Sequence, residues 1–146
     1  MKIVLGADHA GYEFKEKIKA LLKSLGYEFV DYGTSSAEST DYPDYGHRVA
    51  EAVSNGTAER GILVCGTGIG MSIVANKHEG VRAAAVESVA AAKLSREHND
   101  ANILALGARI TPWETTQEII KTFLTTAFEG GRHQRRVEKI HTLTNL

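Results

Sequence analysis

Short apolar runs alternate along the chain with segments whose apolar positions recur every three or four residues. That alternation predicts a parallel sheet covered by helices on both faces. Residues 2–7 read as the first strand, and Phe14, Ile18, Leu21, Leu22 and Leu25 then fall at helical spacing before Gly26 supplies a stop. A second strand is expected over Tyr27–Tyr32. The polar stretch 33–41 reads as an ordered loop leading to Pro43, which suits the first turn of a helix ending near Asn55-Gly56. Gly61-Ile62-Leu63-Val64-Cys65 is a continuous apolar run, as a strand buried on both faces requires. Further strands are expected at Val81–Val86 and Asn102–Leu106, with helices from about Glu87 to Glu97 and Pro112 to Phe128. After Gly130-Gly131 the tail can form a helix, although Val137, Ile140 and Leu143 are too few for a broad apolar stripe. Such a tail suits docking on a partner subunit. The expected architecture is a three-layer α/β/α Rossmann-like sandwich with a five-stranded parallel sheet and a C-terminal helical tail.

Composition narrows the function classes. With 146 residues, 42% of them hydrophobic, the chain can close one substantial core, so a single domain over 1–146 is expected. A formal net charge of −1 gives no general nucleic-acid surface, and no apolar run approaches the roughly 20 residues of a membrane span. One cysteine excludes an internal disulfide framework, and no charged-then-apolar leader precedes the first strand. Both point to a reducing cytoplasm.

In an open parallel sheet, ligands bind beyond the carboxyl ends of the strands. Two polar constellations are expected there: Asp8-His9 after the first strand, and Cys65-Gly66-Thr67-Gly68-Ile69-Gly70 after the third. Three glycines let the backbone turn sharply and bring N–H groups close to an anion, and the helix that follows adds its positive end. Such surroundings favour a thiolate, so Cys65 reads as a base or nucleophile, against the plainer reading of a small buried hydrophobe. A tyrosine-phosphatase loop would need arginine where Met71 stands. A Walker A loop needs Gly-Lys followed by Ser or Thr, and the dinucleotide fingerprint needs glycine at position 71.

His98-Asn99 ends a helix that returns to the amino edge of the sheet, roughly 17–20 Å from the edge carrying Cys65. It is therefore either a helix C-terminal cap or part of another subunit's active site. Arg132 and Arg136, four apart on the tail, either bind a phosphate as paired guanidinium groups or form a solvated basic surface. His47, His78 and His141 make no recognisable metal spacing, and surface positions are expected for them.

Several blocks occur in order: Gly6-Ala7-Asp8-His9-Ala10-Gly11, Thr40-Asp41-Tyr42-Pro43, Cys65 to Gly70 with Asn76-Lys77, Ser95 to Asn102, and Glu129 to His133 with Arg136-Val137. Together they resemble the ribose-5-phosphate isomerase B type and the related subunits of galactose-6-phosphate isomerase. The resemblance implies interconversion of ribose 5-phosphate and ribulose 5-phosphate through a cis-enediolate, with no metal and no cofactor. By position, Cys65 would move the proton and the Gly66 to Gly70 turn, including Gly68 and Ile69, would hold the enediolate oxygen. Thr67 and His98 would open the sugar ring. Asp8 and Asn99 would orient hydroxyls, and His9, Arg132, Arg136 and, less centrally, Arg109 would hold the phosphate. In members lacking the cysteine, a glutamate stands at the position of Ile69, so this chain resembles the cysteine branch. The family forms homodimers, some pairing into tetramers, with active sites shared between subunits. Its nearest alternative activity is isomerisation of allose or galactose 6-phosphate; a non-catalytic nucleotide- or phosphate-binding module is the alternative of a different class.

Overall fold

Side chains alternate across a strand, so the parity of the apolar positions decides which helices cover which face. In the computed structural model, which describes residues 1–146, the strands are β1 (Lys2–Ala7), β2 (Glu28–Asp31), β3 (Arg60–Cys65), β4 (Ala83–Ala85) and β5 (Ile103–Gly107). The helices are α1 (Tyr12–Ser24), α2 (Tyr42–Ser54), α3 (Ile69–Ala75), α4 (Val89–Asn99), α5 (Trp113–Thr125) and α6 (Arg132–Thr144). All strand pairs are parallel, in the order β2-β1-β3-β5-β4. Ile3, Leu5, Ile62, Val64, Leu104 and Leu106 face Ile18 and Leu22 of α1, Ala92 of α4 and Ile119, Ile120 and Phe123 of α5. Their sequence neighbours Val4, Leu63, Cys65, Ile103 and Ala105 face Val49 and Ala50 of α2 and Met71 and Ala75 of α3. Burial on both faces explains the unbroken apolar run of β3, and the three expected layers are present.

Several boundaries differ from the sequence expectation for local reasons. The fourth strand is only Ala83–Ala85, at the edge, and side chains bond backbone groups at its start. Asn76 accepts from the Ala83 N–H at 2.8 Å and donates to its carbonyl at 3.0 Å, and Asn102 Oδ1 accepts from the Arg82 N–H at 2.8 Å. The open edge is thereby capped at Ala83. α4 starts two residues later than expected because Ser88 Oγ caps the Ala91 N–H, and it ends with Asp100 in the left-handed conformation. α5 stops at Thr125, where the Thr125 and Thr126 hydroxyls bond back to Lys121 and Thr122 carbonyls and Arg96 takes the Thr126 carbonyl. The tail is a full helix despite its narrow apolar stripe, with Val137 and His133 buried and Leu143 79% exposed.

One charged anchor lies within the core. Lys15 is 1% exposed and pairs with Asp31, which Lys19 also reaches at 2.9 Å. Burial pushes the Asp31 carboxyl up, but hydrogen bonds from Lys15, Lys19 and the Gly33 N–H outweigh it and hold the group below its ordinary range. Asp31 thus ties α1 to Gly33, whose carbonyl accepts the Ala7 N–H beside Asp8.

Candidate active site

β2 and β3 lie on opposite sides of β1, so the chain changes direction between β1 and β3, and a crevice opens at their carboxyl ends. Asp8 leaves β1 there, with its N–H on the Val64 carbonyl at 3.3 Å. Its Oδ1 accepts the Gly11 N–H at 3.0 Å, which leaves Oδ2 without a partner in the chain. A cavity of about 440 Å³ is lined by Asp8, Cys65, Gly66, Thr67, Ile69, Gly70 and Arg109, together with Tyr42 and Ile73.

The Cys65 turn is held from below. Gly68 has φ +80 and donates its N–H to Cys65 Sγ at 3.1 Å, which fixes the sulfur and gives a negative charge on it a donor. The Thr67 hydroxyl accepts the Ile69 N–H at 3.2 Å, whereas the Gly66 and Thr67 N–H groups bond to no group of the chain. The absence of side chains at the glycines lets neighbours close in. A Cβ at Gly66 would lie 3.2 Å from the Arg109 guanidinium, and one at Gly70 would lie 2.8 Å from the Tyr42 ring. Arg109 is itself tethered through its N–H to the Gly66 carbonyl at 3.0 Å. A thiol, a carboxylate and a guanidinium therefore converge over free backbone donors.

His9 lies beside this group. Its Nδ1 accepts the Thr40 N–H at 3.1 Å, so a neutral ring carries its proton on Nε2 and presents it as a donor. The sequence does not single out Tyr42 or Ile73 as site residues, although Tyr42 lies in the block Thr40 to Pro43.

The other candidates lie elsewhere on the same chain. His98 and Asn99 end α4 at the amino edge of the sheet, where Asp100 and Ala101 lead into β5, while Cys65 pairs with Gly107 at the opposite end of that strand. Asn99 lines a second cavity of about 370 Å³ with Arg82 and His141. His98 stacks on His133 of α6, with ring centroids 4.3 Å apart, and Glu129 Oε1 lies 3.6 and 3.4 Å from their Nε2 atoms. Arg132 and Arg136 are exposed on α6. One chain thus carries two groups at opposite edges of its sheet. His141 departs from the expected surface position: its Nε2 meets the Arg82 guanidinium at 2.8 Å and its Nδ1 is buried. His47 is exposed as expected, and its Nδ1 meets the His78 Nε2 at 2.8 Å.

An open parallel α/β sheet with these groups at its switch point defines an enzyme for a small anionic substrate. Residues 3–140 match the model of the ribose/galactose isomerase family, and the chain belongs to that family. Ribose-5-phosphate isomerase B of Escherichia coli (strain K12) is 49% identical over 139 residues, which cover 95% of this chain and 93% of the relative. A D-erythrulose-4-phosphate isomerase of Pectobacterium atrosepticum is 43% identical over 141 residues, covering 96% and 93%. The structure of ribose-5-phosphate isomerase B from Clostridium thermocellum superposes with a TM-score of 0.98 at 52% identity, covering 99% of this chain and 98% of that one. No helix is long and apolar enough to cross a membrane.

Proposed function

We propose that the protein interconverts D-ribose 5-phosphate and D-ribulose 5-phosphate. The observation that carries the mechanism is Cys65 Sγ, fixed by the Gly68 N–H at the floor of a crevice whose rim holds unpaired backbone donors. In the open-chain aldose the thiolate removes the C2 proton. The C–H electron pair becomes the C1=C2 bond, and the carbonyl oxygen becomes an oxyanion facing the Gly66 to Gly70 turn. Return of the proton to C1, with transfer of the O2 proton to O1, yields the ketose. Sulfur supplies the base and the backbone supplies the positive field, so the proton transfer calls for no metal and no nucleotide.

Asp8 and Arg109 lie on the crevice wall, suited to a sugar hydroxyl and to the phosphate, and His9 offers a further donor to the phosphate. Thr67, beside the sulfur, is suited to assist ring opening. His98, Asn99, Arg132 and Arg136 act on a neighbouring subunit's crevice. Two observations support sharing. The second group is too distant to serve its own Cys65, and both regions expose large apolar side chains: Ile69, Ile73 and Ile110 near the crevice, and Leu94, Ile140 and Leu143 near the amino edge. A homodimer joining the two regions would complete each site. A single, buried cysteine fits the reducing cytoplasm.

Initial rates on ribose 5-phosphate, D-erythrulose 4-phosphate and allose and galactose 6-phosphates test the substrate, with Cys65→Ala as the control. Ribose 5-phosphate is expected to react fastest, and Cys65→Ala to lose about 10²–10⁴ in kcat while keeping its fold. A faster hexose phosphate would move the activity to the nearest alternative, and near-normal turnover of Cys65→Ala would remove the sulfur from the reaction.

A further inference from the structure

The cluster at the end of α4 joins His98 to two donors, Glu129 and His133, that the proposed isomerisation does not use. His98, Glu129 and His133 each offer one ligand atom, and these atoms all lie within 4.8 Å of one another. Two of the separations, 3.6 Å from Glu129 Oε1 to His98 Nε2 and 3.4 Å to His133 Nε2, are close to the distance of about 3.3 Å between neighbouring ligands of a tetrahedral zinc ion with bonds near 2.0–2.1 Å. Two imidazoles and one carboxylate form a set that binds Zn²⁺ and Co²⁺ and leaves a fourth position for water. It is poor for Mg²⁺ or Ca²⁺, which take mainly oxygen.

The surroundings allow such an ion to enter. His133 is almost buried, which fixes one ligand, whereas His98 is 39% exposed and Glu129 52%. The two rings are nearly parallel, 16° apart, so the half-exposed His98 ring must turn for both Nε2 lone pairs to meet one ion. Glu129 is anchored from behind, its N–H donating to the Glu97 carbonyl at 3.1 Å. All three ligands belong to one chain.

We propose that His98, Glu129 and His133 form an inhibitory site for Zn²⁺. The ion displaces any proton from the two histidines, leaves every oxidation state unchanged and takes His98 out of the isomerisation. The inhibitory part rests on the reading of His98 as an active-site residue; the binding part does not.

Metal-free protein, prepared with excess chelator, is titrated with Co²⁺ and followed by visible absorption, then challenged with Zn²⁺. The expected result is tetrahedral-type bands that Zn²⁺ abolishes and that persist in Cys65→Ala, together with a loss of isomerase activity in the native protein that chelator restores. Glu129→Gln and His133→Gln are expected to stay folded by circular dichroism, to bind Co²⁺ at least about tenfold more weakly, and to escape Zn²⁺ inhibition. Missing bands, or bands and inhibition unchanged in both variants, would overturn the site; bands lost in Cys65→Ala would move the metal to the thiol. Binding without inhibition would leave the site standing and overturn the role of His98.

Discussion

Gly68 meets two conditions at once. Its φ of +80 lies where a side chain is strained, and a Cβ would sit 3.0 Å from the Leu106 backbone. Its N–H is also the donor that fixes Cys65 Sγ. Gly68→Ala is therefore expected to cost about 1–3 kcal/mol of stability and to lower kcat more than it raises KM. Thermal unfolding and steady-state kinetics check both, and a variant as stable and as fast as the native protein would show that the turn tolerates another shape. At this scale the sequence was informative. The glycine spacing after Cys65 marks a turn whose backbone donors are free, and the structure adds which donor reaches the sulfur. The stacking of His98 on His133 was not legible, because 34 residues intervene and no metal-ligand spacing connects them.

Among the elements, α1 and the loop after β2 are joined through Asp31. Its carboxyl is held below its ordinary range, so the ionised form stabilises the fold. The contribution is complete above the unfolded pKa of about 3.9 and is lost as pH falls through the lower folded value. Asp31→Asn leaves Lys15 buried beside a neutral partner and is expected to cost about 3 kcal/mol at neutral pH. In denaturant unfolding the gap from the native protein should narrow on acidification below about pH 4. A gap independent of pH would remove the ion pair as its cause. The periodicity that located the helices does not mark this pair, since a lysine within a helix ordinarily reads as solvated. The short β4 was equally hidden, because the Asn76 and Asn102 side chains that bond its start come from distant segments.

For the whole molecule, the two groups at opposite edges lead to a complementation test. For the proposed homodimer with shared sites, Cys65→Ala and His98→Ala proteins are each expected to be inactive. After subunit exchange at equal amounts, half of the dimers would hold one intact site, and about a quarter of native activity should return. Exchange verified by mass with no recovery would argue that each chain completes its own site. Val137 and His133 are buried within one chain, so α6 docks on its own chain and leaves Arg132, Arg136 and Leu143 exposed.

Hydrophobic periodicity by itself determined the number and sequence order of the strands, the parallel α/β class and the edges of the sheet that Asp8, Cys65 and His98 occupy. These follow from local pattern, because side-chain alternation and helical spacing are properties of consecutive residues. Only the tertiary structure decided that β5 lies between β3 and β4, that Arg109 closes over Gly66, and that His98, Glu129 and His133 converge. Each of these depends on packing between segments distant along the chain, which no local pattern encodes.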